Sequence, residues 1–144
     1  MTEKFTIREL KFLCKKRGIK GYSYLKKDDL ILYCKSDRYW ENISKHKKLS
    51  EKFIEKFQNR VDWKYISKYQ KLSEKFIAKF QDKVDWKYIS KYQKLSEKFI
   101  GKFLSHIDWE YISKYQKVFK KMIKNPNYII FIFRQKVSEK FIEG

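Results

Sequence analysis

The chemistry that this sequence offers is the binding of anions by a short basic segment near the N-terminus. Six basic side chains lie between residues 15 and 27, and no acidic residue interrupts them. Such a cluster favours phosphate-rich partners, because each cation that neutralises a phosphate releases a counterion. The six are Lys15, Lys16, Arg17, Lys20, Lys26 and Lys27, and the nearby Tyr22 and Tyr24 could stack on a base or hydrogen-bond to a phosphate backbone.

The charge of the whole chain favours the same class of partner. The 144 residues carry 36 Lys and Arg against 17 Asp and Glu, a formal net charge of +19. A field of this sign favours nucleic acid, an anionic membrane surface or an acidic protein. An A/T-rich genome would also produce this lysine-rich composition by codon bias, so the net charge alone does not choose among these partners.

The sequence shows no grouping of residues typical of a catalytic or metal-binding site. His46 and His106 occupy positions where neighbouring copies of a repeat carry other residues, so substitution within the repeat explains them. The two cysteines, Cys14 and Cys34, are too few for a disulfide-stapled scaffold or a zinc site. We therefore expect no enzymatic activity, no cofactor and no metal, and we expect both thiols to be buried and reduced.

Two short helices should position the basic segment. Thr6 and Glu9 have the spacing of a capping box, and Gly18 stands where a left-handed helix C-cap belongs. An extended connection over residues 19–25 leads to a second helix from about Lys26, whose N-terminal amides could face a phosphate. The apolar stripes of the two helices are Ile7, Leu10, Leu13 and Cys14 in the first and Leu30, Ile31, Tyr33 and Cys34 in the second.

Residues 5–36 resemble the helix–extension–helix domains, which include the SAP, LEM-like and transcription-terminator Rho N-terminal types. The most specific part of the resemblance is Gly18-Ile-Lys-Gly-Tyr-Ser-x-Leu25-Lys-Lys. It implies nucleic-acid binding, with DNA favoured over RNA, through the end of helix 1, the connector and the start of helix 2. Asp28 and Asp29 are first-turn acids of the second helix that dilute the basic surface.

The rest of the chain is a tandem repeat. Trp40, Trp63, Trp86 and Trp109 are each 23 residues apart, and the sequence around them recurs almost letter for letter. A period of this size is typical of stacked supersecondary units. We predict a helix–extension–helix domain over residues 1–37 and an array of about four to five repeats over residues 38–144.

Each repeat splits into two short helices. The first-type helix should begin after a serine N-cap, which is Ser50, Ser73 or Ser96 in successive copies, and its buried stripe is Leu49, Phe53, Phe57 and Val61. The second-type helix should begin after an aspartate N-cap, which is Asp62, Asp85 or Asp108. Its buried stripe is Trp63, Ile66 and Tyr69. Helices of about nine to eleven residues are unstable alone in water, so they must pack on neighbouring repeats. The predicted fold class is all-α, with a small helix–extension–helix domain and a short α-solenoid of two-helix 23-residue repeats.

The ends of the array are degenerate copies. We interpret Tyr39–Lys48 as a second-type helix capped by Asp37, and residues 127–136 as another that follows Pro126. Residues 137–143 restart a first-type helix, which gives five helices of each type. Residues 128–133 should form a buried helix, although their β-branched and aromatic content makes a strand the alternative.

Repeated lysines form a second candidate surface, either a basic groove along a phosphate backbone or a solvated face that reflects codon bias. They are Lys52, Lys56, Lys64, Lys68, Lys75, Lys79, Lys87 and Lys91. We interpret the rows of Trp and Tyr as core and not as base-stacking platforms, because their spacing is that of a buried helical stripe.

The repeats themselves, with their Leu-Ser-Glu-x-Phe-Ile, Val-Asp-Trp and Ile-Ser-x-Tyr-Gln motifs, resemble tandem repeats of uncharacterised proteins from giant DNA viruses and some bacteria. The resemblance implies a viral protein in the host cytoplasm, the nucleus or the virion. It implies little about activity.

Taken together, these patterns predict a non-enzymatic nucleic-acid-binding protein with limited sequence specificity. The alternative is an α-solenoid scaffold whose array holds a protein partner, with no direct nucleic-acid role. The longest apolar run, residues 128–133, is far shorter than a membrane span, and the N-terminus lacks the apolar core of a signal peptide, so we expect an intracellular protein without membrane attachment. The sequence does not predict its oligomeric state.

Overall fold

The computed structural model describes residues 5–130, 132 and 134, and every regular element among them is helical. The helices with defined bounds are α1 (Ile7–Lys16), α2 (Lys27–Tyr33), α3 (Asp37–His46), α4 (Glu51–Lys56), α5 (Trp63–Tyr69), α6 (Glu74–Lys79), α7 (Trp86–Tyr92), α8 (Glu97–Lys102), α9 (Trp109–Tyr115) and α10 (Phe119–Met122). Residues 126–130, 132 and 134 are helical as well. The predicted all-α fold class is confirmed for this part of the chain.

The described residues divide into two compact units on either side of the bond between Ile66 and Ser67. The first unit holds α1 to α4 and the start of α5, and the second holds the end of α5 and the helices that follow. The predicted domain boundary between residues 37 and 38 stays a prediction. None of the helices in the described residues has the length and apolar character that crossing a bilayer requires.

The ends of α1 are formed as the sequence predicts. The backbone amide of Thr6 donates to Glu9 Oε2 at 2.7 Å, and Thr6 Oγ1 accepts from the amide of Glu9 at 3.3 Å, which completes the capping box. At the other end, Gly18 has a φ of +67°, and the amide of Ile19 donates to the carbonyl of Cys14 at 2.9 Å. This is the Schellman arrangement, and it turns the chain sharply out of the helix.

The core of the first unit lies between α1, α2 and the first repeat. Its fully buried side chains include Leu10, Cys14, Leu30, Tyr33, Trp40, Ile54 and Phe57. The predicted stripes were partly wrong: Ile7 is exposed, and Leu13, Ile31 and Cys34 are only half-buried. These residues lie at the rim of a helix pair that is too short to cover them.

The helices of the repeats begin where predicted. Ser50, Ser73 and Ser96 accept hydrogen bonds from the amides three residues later, and Asp85 and Asp108 cap α7 and α9 in the same way. The helices are shorter than predicted, with six residues in the first type and seven in the second. Phe57, Phe80 and Phe103 end the first-type helices as C-caps and are buried.

Partly or fully buried hydrogen bonds join consecutive copies. A serine hydroxyl on a second-type helix accepts from the amide of the capping Asp of the next copy, in the pairs Ser44–Asp62 (3.0 Å), Ser67–Asp85 (2.9 Å) and Ser90–Asp108 (3.0 Å). In the second unit, Gln93 Nε2 also donates to the carbonyls of Ser67 and Gln70 at 2.9 and 2.7 Å. These polar contacts set the register between copies, because a shift would leave buried groups unpaired.

At the ends of the array, one N-cap differs from the prediction and one structural alternative is excluded. Ser36, and not Asp37, is the N-cap of α3: its Oγ accepts from the amide of Tyr39 at 3.3 Å, so the helix begins earlier than predicted. Near the other end, residues 126–130, 132 and 134 are helical, which excludes the strand alternative for these residues. The predicted first-type helix over 137–143 lies outside the described residues.

Candidate nucleic-acid interface

The basic residues run from the end of α1, along the connector over residues 19–25, to the start of α2. Arg17 Nη1, just past the end of α1, donates to the carbonyl of Cys34, just past the end of α2, at 2.7 Å. The sulfur atoms of Cys14 and Cys34 lie 2.8 Å apart. Because the two helices meet at their C-terminal ends, the connector must run back along the pair before α2 begins.

This arrangement divides the predicted site residues into two groups. Lys15, Lys16 and Arg17 lie together at the end of α1, whereas Lys26 and Lys27 lie at the start of α2. The seven residues of α2 rise by about 1.5 Å each, so about 10 Å of helix separates the second group from the first. The predicted site residues therefore form a strip that runs from the end of α1 along the connector to the start of α2.

The connector that carries Lys20 is held against both helices. Lys11 Nζ donates to the carbonyl of Ser23 at 2.7 Å, and the hydroxyl of Tyr33 donates to the carbonyl of Lys20. Gly21 has a φ of +78°, and a Cβ there would lie 2.5 Å from Asn59 Nδ2. The strip thus has a defined backbone shape before any partner binds.

All the predicted basic side chains are accessible. Those of Lys15, Lys16, Arg17, Lys20, Lys26 and Lys27 are exposed, and that of Tyr22 is half-buried. The strip therefore presents its cations to solvent, as a phosphate-binding surface requires.

An open cleft of about 790 Å³ lies beside the start of the connector. The ionisable side chains that line it include Arg17, Lys20, Lys35, Asp37 and Arg60. Four of these are cations and one is an acid, so the cleft attracts anions. Sequence reasoning missed Lys35 and Arg60, because they belong to segments that are distant from the connector along the chain.

Arg60 is the residue that shapes this cleft. Its Nε donates to the carbonyl of Tyr33 at 3.0 Å, its Nη2 to the carbonyl of Lys35 at 2.6 Å, and its Nη1 contacts Asp37 Oδ1 at 3.0 Å. It thereby satisfies carbonyls at the C-terminal end of α2 and neutralises the acid of the cleft. One sequence signal was available, since the other copies carry Lys83 and His106 at this position.

A second acid on this surface is also paired. Asp29 Oδ2 lies 2.6 Å from Lys56 Nζ, a lysine of the first repeat that belongs to the predicted second surface. The sequence predicts that Asp29 reduces the positive charge of the basic strip, and its ion pair with Lys56 offsets this reduction. Asp28 is exposed beside it.

The predicted lysine surface is mostly exposed, but its aromatic neighbours are not all core. Lys68 and Lys91 are half-buried; the exposed members are Lys52, Lys56, Lys64, Lys75, Lys79 and Lys87. The prediction of buried aromatic rows holds for Trp40 and Trp109, whereas Trp63 and Trp86 are only half-buried. It was wrong for the tyrosines at the ends of α5, α7 and α9, which are exposed. These tyrosines are the last residues of their helices.

The histidines and cysteines have structural surroundings. His106 packs on Trp86 with the ring centroids 4.9 Å apart, and His46 is exposed at the end of α3. Cys14 is buried and Cys34 half-buried, both as free thiols, and burial raises the pKa of Cys14 to about 12. Among the described residues, no group of three or more His, Cys, Asp or Glu side chains could hold a metal ion.

No family model, no curated protein and no solved structure matches this chain. The resemblances to helix–extension–helix domains and to viral tandem repeats therefore stay predictions.

Proposed function

We propose that this protein binds nucleic acid, duplex DNA in preference to RNA, through the basic face of its first unit. The observation that carries the proposal is the cleft beside the connector, where Arg17, Lys20 and Lys35 accompany an acid that Arg60 already neutralises. The exposed lysines of the strip extend this positive surface along the connector. The preference for DNA rests on the resemblance of residues 5–36 to helix–extension–helix domains.

The mode of binding follows from the residue types. Lysine contacts phosphate as a compact point charge, without the bidentate geometry with which arginine reads guanine. Contacts of this kind position a protein on the backbone but carry no sequence information. The expected complex is therefore salt-sensitive and of limited sequence specificity, and the protein has a binding role without catalysis.

The alternative, a protein-interaction scaffold, has one observation in its favour. Phe12 is 64% exposed on α1, and an apolar groove of about 520 Å³ beside it is lined by Phe5, Arg8, Glu9, Phe12 and Leu13. An exposed aromatic groove suits a protein partner better than a polyanion. A scaffold of this kind would leave a DNA duplex unbound.

Fluorescence anisotropy with a labelled DNA duplex tests the proposal. We expect binding at about 50 mM salt and a loss of about 10³- to 10⁵-fold in affinity by 200 mM if six to ten phosphates are contacted. Absence of binding at about 50 mM salt would contradict the proposal and leave the scaffold as the better account. A duplex RNA of the same sequence, bound as tightly, would contradict the preference for DNA.

The variant for this test should spare the residues that hold the fold. Arg17 caps α2 through the carbonyl of Cys34, so its removal would confuse folding with binding. The informative variant changes Lys15, Lys16, Lys26 and Lys27 to Gln. The matched control removes the same charge from the same unit by changing Arg38, Lys45, Lys47 and Lys48 to Gln, which are exposed and outside both candidate surfaces, and it should retain most of the affinity.

The location of the protein belongs to the same proposal. A viral origin and a place in the host cytoplasm, nucleus or virion rest on the resemblance of the repeats alone.

A further inference from the structure

The second unit has a row of tyrosines that are not buried in its core. Tyr69, Tyr92 and Tyr115 are the last residues of α5, α7 and α9, and they are 45, 45 and 53% exposed. Each is the final Tyr of a Trp-x-Tyr-Ile-Ser-Lys-Tyr helix, so the same ring recurs at the same place in consecutive copies. Exposed aromatic rings at regular positions need a separate explanation, because burial does not account for them.

A lysine accompanies the rings at each step. Lys68 Nζ lies 5.0 Å from the ring centroid of Tyr69 and 5.8 Å from that of Tyr92. One copy later, Lys91 Nζ lies 5.1 Å from Tyr92 and 5.2 Å from Tyr115. Each ammonium therefore lies between two successive exposed rings. Hydrogen bonds to the adjacent tyrosine, Tyr69 or Tyr92, raise the pKa of each lysine, so both stay charged at neutral pH.

Inner tyrosines hold the exposed rings in place. Tyr88 packs against Tyr92 with centroids 6.0 Å apart and planes inclined by 23°, and Tyr111 packs against Tyr115 at 5.9 Å and 24°. Stacked partners restrict the rotation of the exposed rings. The row is thus ordered before a ligand arrives, which lowers the entropy lost on binding.

In the third copy an acidic residue offsets the positive charge of the row. Where α5 and α7 carry Lys64 and Lys87, α9 carries Glu110, and this acid forms an ion pair of 2.6 Å with Lys114. Lys114 is the counterpart of Lys68 and Lys91 in the repeat. The pairing with Glu110 neutralises the position, so the cationic part of the row is confined to the middle copies.

We propose that this tyrosine–lysine row, made of Tyr69, Tyr92, Tyr115, Lys68 and Lys91, binds single-stranded nucleic acid by stacking bases on the tyrosines and pairing phosphates with the lysines. A ligand that meets the same side-chain pair in each copy must itself repeat, and a single strand repeats one phosphate and one flat base per unit. Base–aromatic stacking tolerates any sequence because every base has a π-face. In a duplex these faces are already covered, so the row selects single strands.

The proposal goes beyond the function proposed for the first unit and shares no residue with it. The two can therefore fail separately. Changing Lys15, Lys16, Lys26 and Lys27 to Gln should weaken duplex binding and leave most of the binding of a single strand. Changes in the tyrosine–lysine row should do the reverse.

The direct test is anisotropy of the full chain with a labelled oligothymidylate of about 16 nucleotides, the upper end of single-strand sites on one small binding fold. Tyr92→Leu and Tyr115→Leu keep apolar volume but remove the ring, and each should lower the affinity by about 5- to 150-fold. Tyr92→Phe keeps the ring and should retain the affinity within about threefold. Equal affinity in the Leu and Phe variants would overturn the proposal.

A gain of affinity offers an independent test. Glu110→Lys restores the residue that the other copies carry and releases Lys114, so it should strengthen oligothymidylate binding by at least about threefold over its control. The control is Asp82→Lys, which makes the same charge change at an exposed position of the same unit. Equal gains in the two variants would show a general charge effect and overturn the proposal. A polyglutamate that competes for the row as well as the oligonucleotide does would assign it to an acidic protein instead.

Discussion

The ammonium of Lys56 lies 2.6 Å from the carboxylate of Asp29. The lysine belongs to the first repeat and the acid to the start of α2, so a repeat residue neutralises an acid of the basic strip. An ion pair of this kind contributes little to stability when it is exposed. Its larger effect is on the field that an approaching phosphate meets.

Removal of Lys56 should weaken duplex binding although the lysine is outside the strip. Lys56→Ala leaves the Asp29 carboxylate unpaired, and we expect a loss of about 2- to 5-fold in affinity. Lys48→Ala is the matched control, since it removes one exposed charge from the same unit. Asp29→Asn should raise the affinity of the chain. An anisotropy titration in which Lys56→Ala behaves like Lys48→Ala would show that the pair is irrelevant to binding.

Substitution of Arg60 should destabilise the first unit even when the charge is kept. Arg60→Lys cannot make the three contacts with Tyr33, Lys35 and Asp37 at once, and loss of hydrogen bonds from a charged group costs about 1.5–3 kcal/mol. Arg38→Lys, at an exposed position of α3, should change the free energy of unfolding by less than about 0.5 kcal/mol. Urea unfolding followed by circular dichroism measures both. Similar midpoints in the two variants would contradict the role given to Arg60.

The serine that joins consecutive copies gives a third prediction. Ser90→Ala removes the buried hydroxyl that accepts from the partly buried Asp108 amide, and loss of this hydrogen bond should cost about 1 kcal/mol or more. Ser113→Ala changes the equivalent residue of the last full copy, where the hydroxyl is exposed, and should cost less than about 0.5 kcal/mol. Thermal unfolding compares the two. If the exposed serine matters as much as the buried one, the hydrogen bond does not set the register.

The two thiols should differ in reactivity. Burial raises the pKa of Cys14 from its ordinary 9.0 to about 12, so its thiol stays neutral at pH 8 and reacts slowly with iodoacetamide. In a Cys34→Ser variant, Cys14 should be alkylated only as the chain unfolds. In Cys14→Ser, the half-buried Cys34 should react faster. Mass spectrometry of timed samples measures both rates, and equal rates would contradict the burial of Cys14.

The same pKa shift has a consequence for stability. Between pH 9 and pH 12, unfolding releases the Cys14 proton that the folded chain retains. The contribution of Cys14 to the free energy of unfolding is therefore full below pH 9 and falls as the pH rises toward 12. Cys14→Ala should remove this part of the alkaline loss of stability.

Local features were predictable because they depend on neighbours in the chain. The capping box at Thr6, the turn at Gly18 and the N-caps at Ser50 and Asp85 all follow from residue types at short spacing. The 23-residue period likewise identified the repeated helix pair. Errors at this level were small, such as the choice of Asp37 over Ser36 as the cap of α3.

Features that depend on tertiary packing were not predictable. Cys14 and Cys34 could be expected to face one another across the helix pair, but the sequence does not show that Arg17 also bonds to the carbonyl of Cys34. Arg60 lines the cleft from the segment between α4 and α5, although it lies 33 residues after Lys27 in the chain. Tyr92 has the spacing of a buried stripe, but it lies at the end of a helix that is shorter than the pattern predicts.

The salt dependence of duplex binding tests the central claim most directly. The slope of log affinity against log salt falls by about 0.9 for each phosphate contact that is removed. We predict that changing Lys15, Lys16, Lys26 and Lys27 to Gln lowers this slope by about 2–4, and that the control with Arg38, Lys45, Lys47 and Lys48 changed to Gln lowers it by less than about 1. Equal slopes in the two variants would contradict the claim that the strip along the connector binds the DNA backbone.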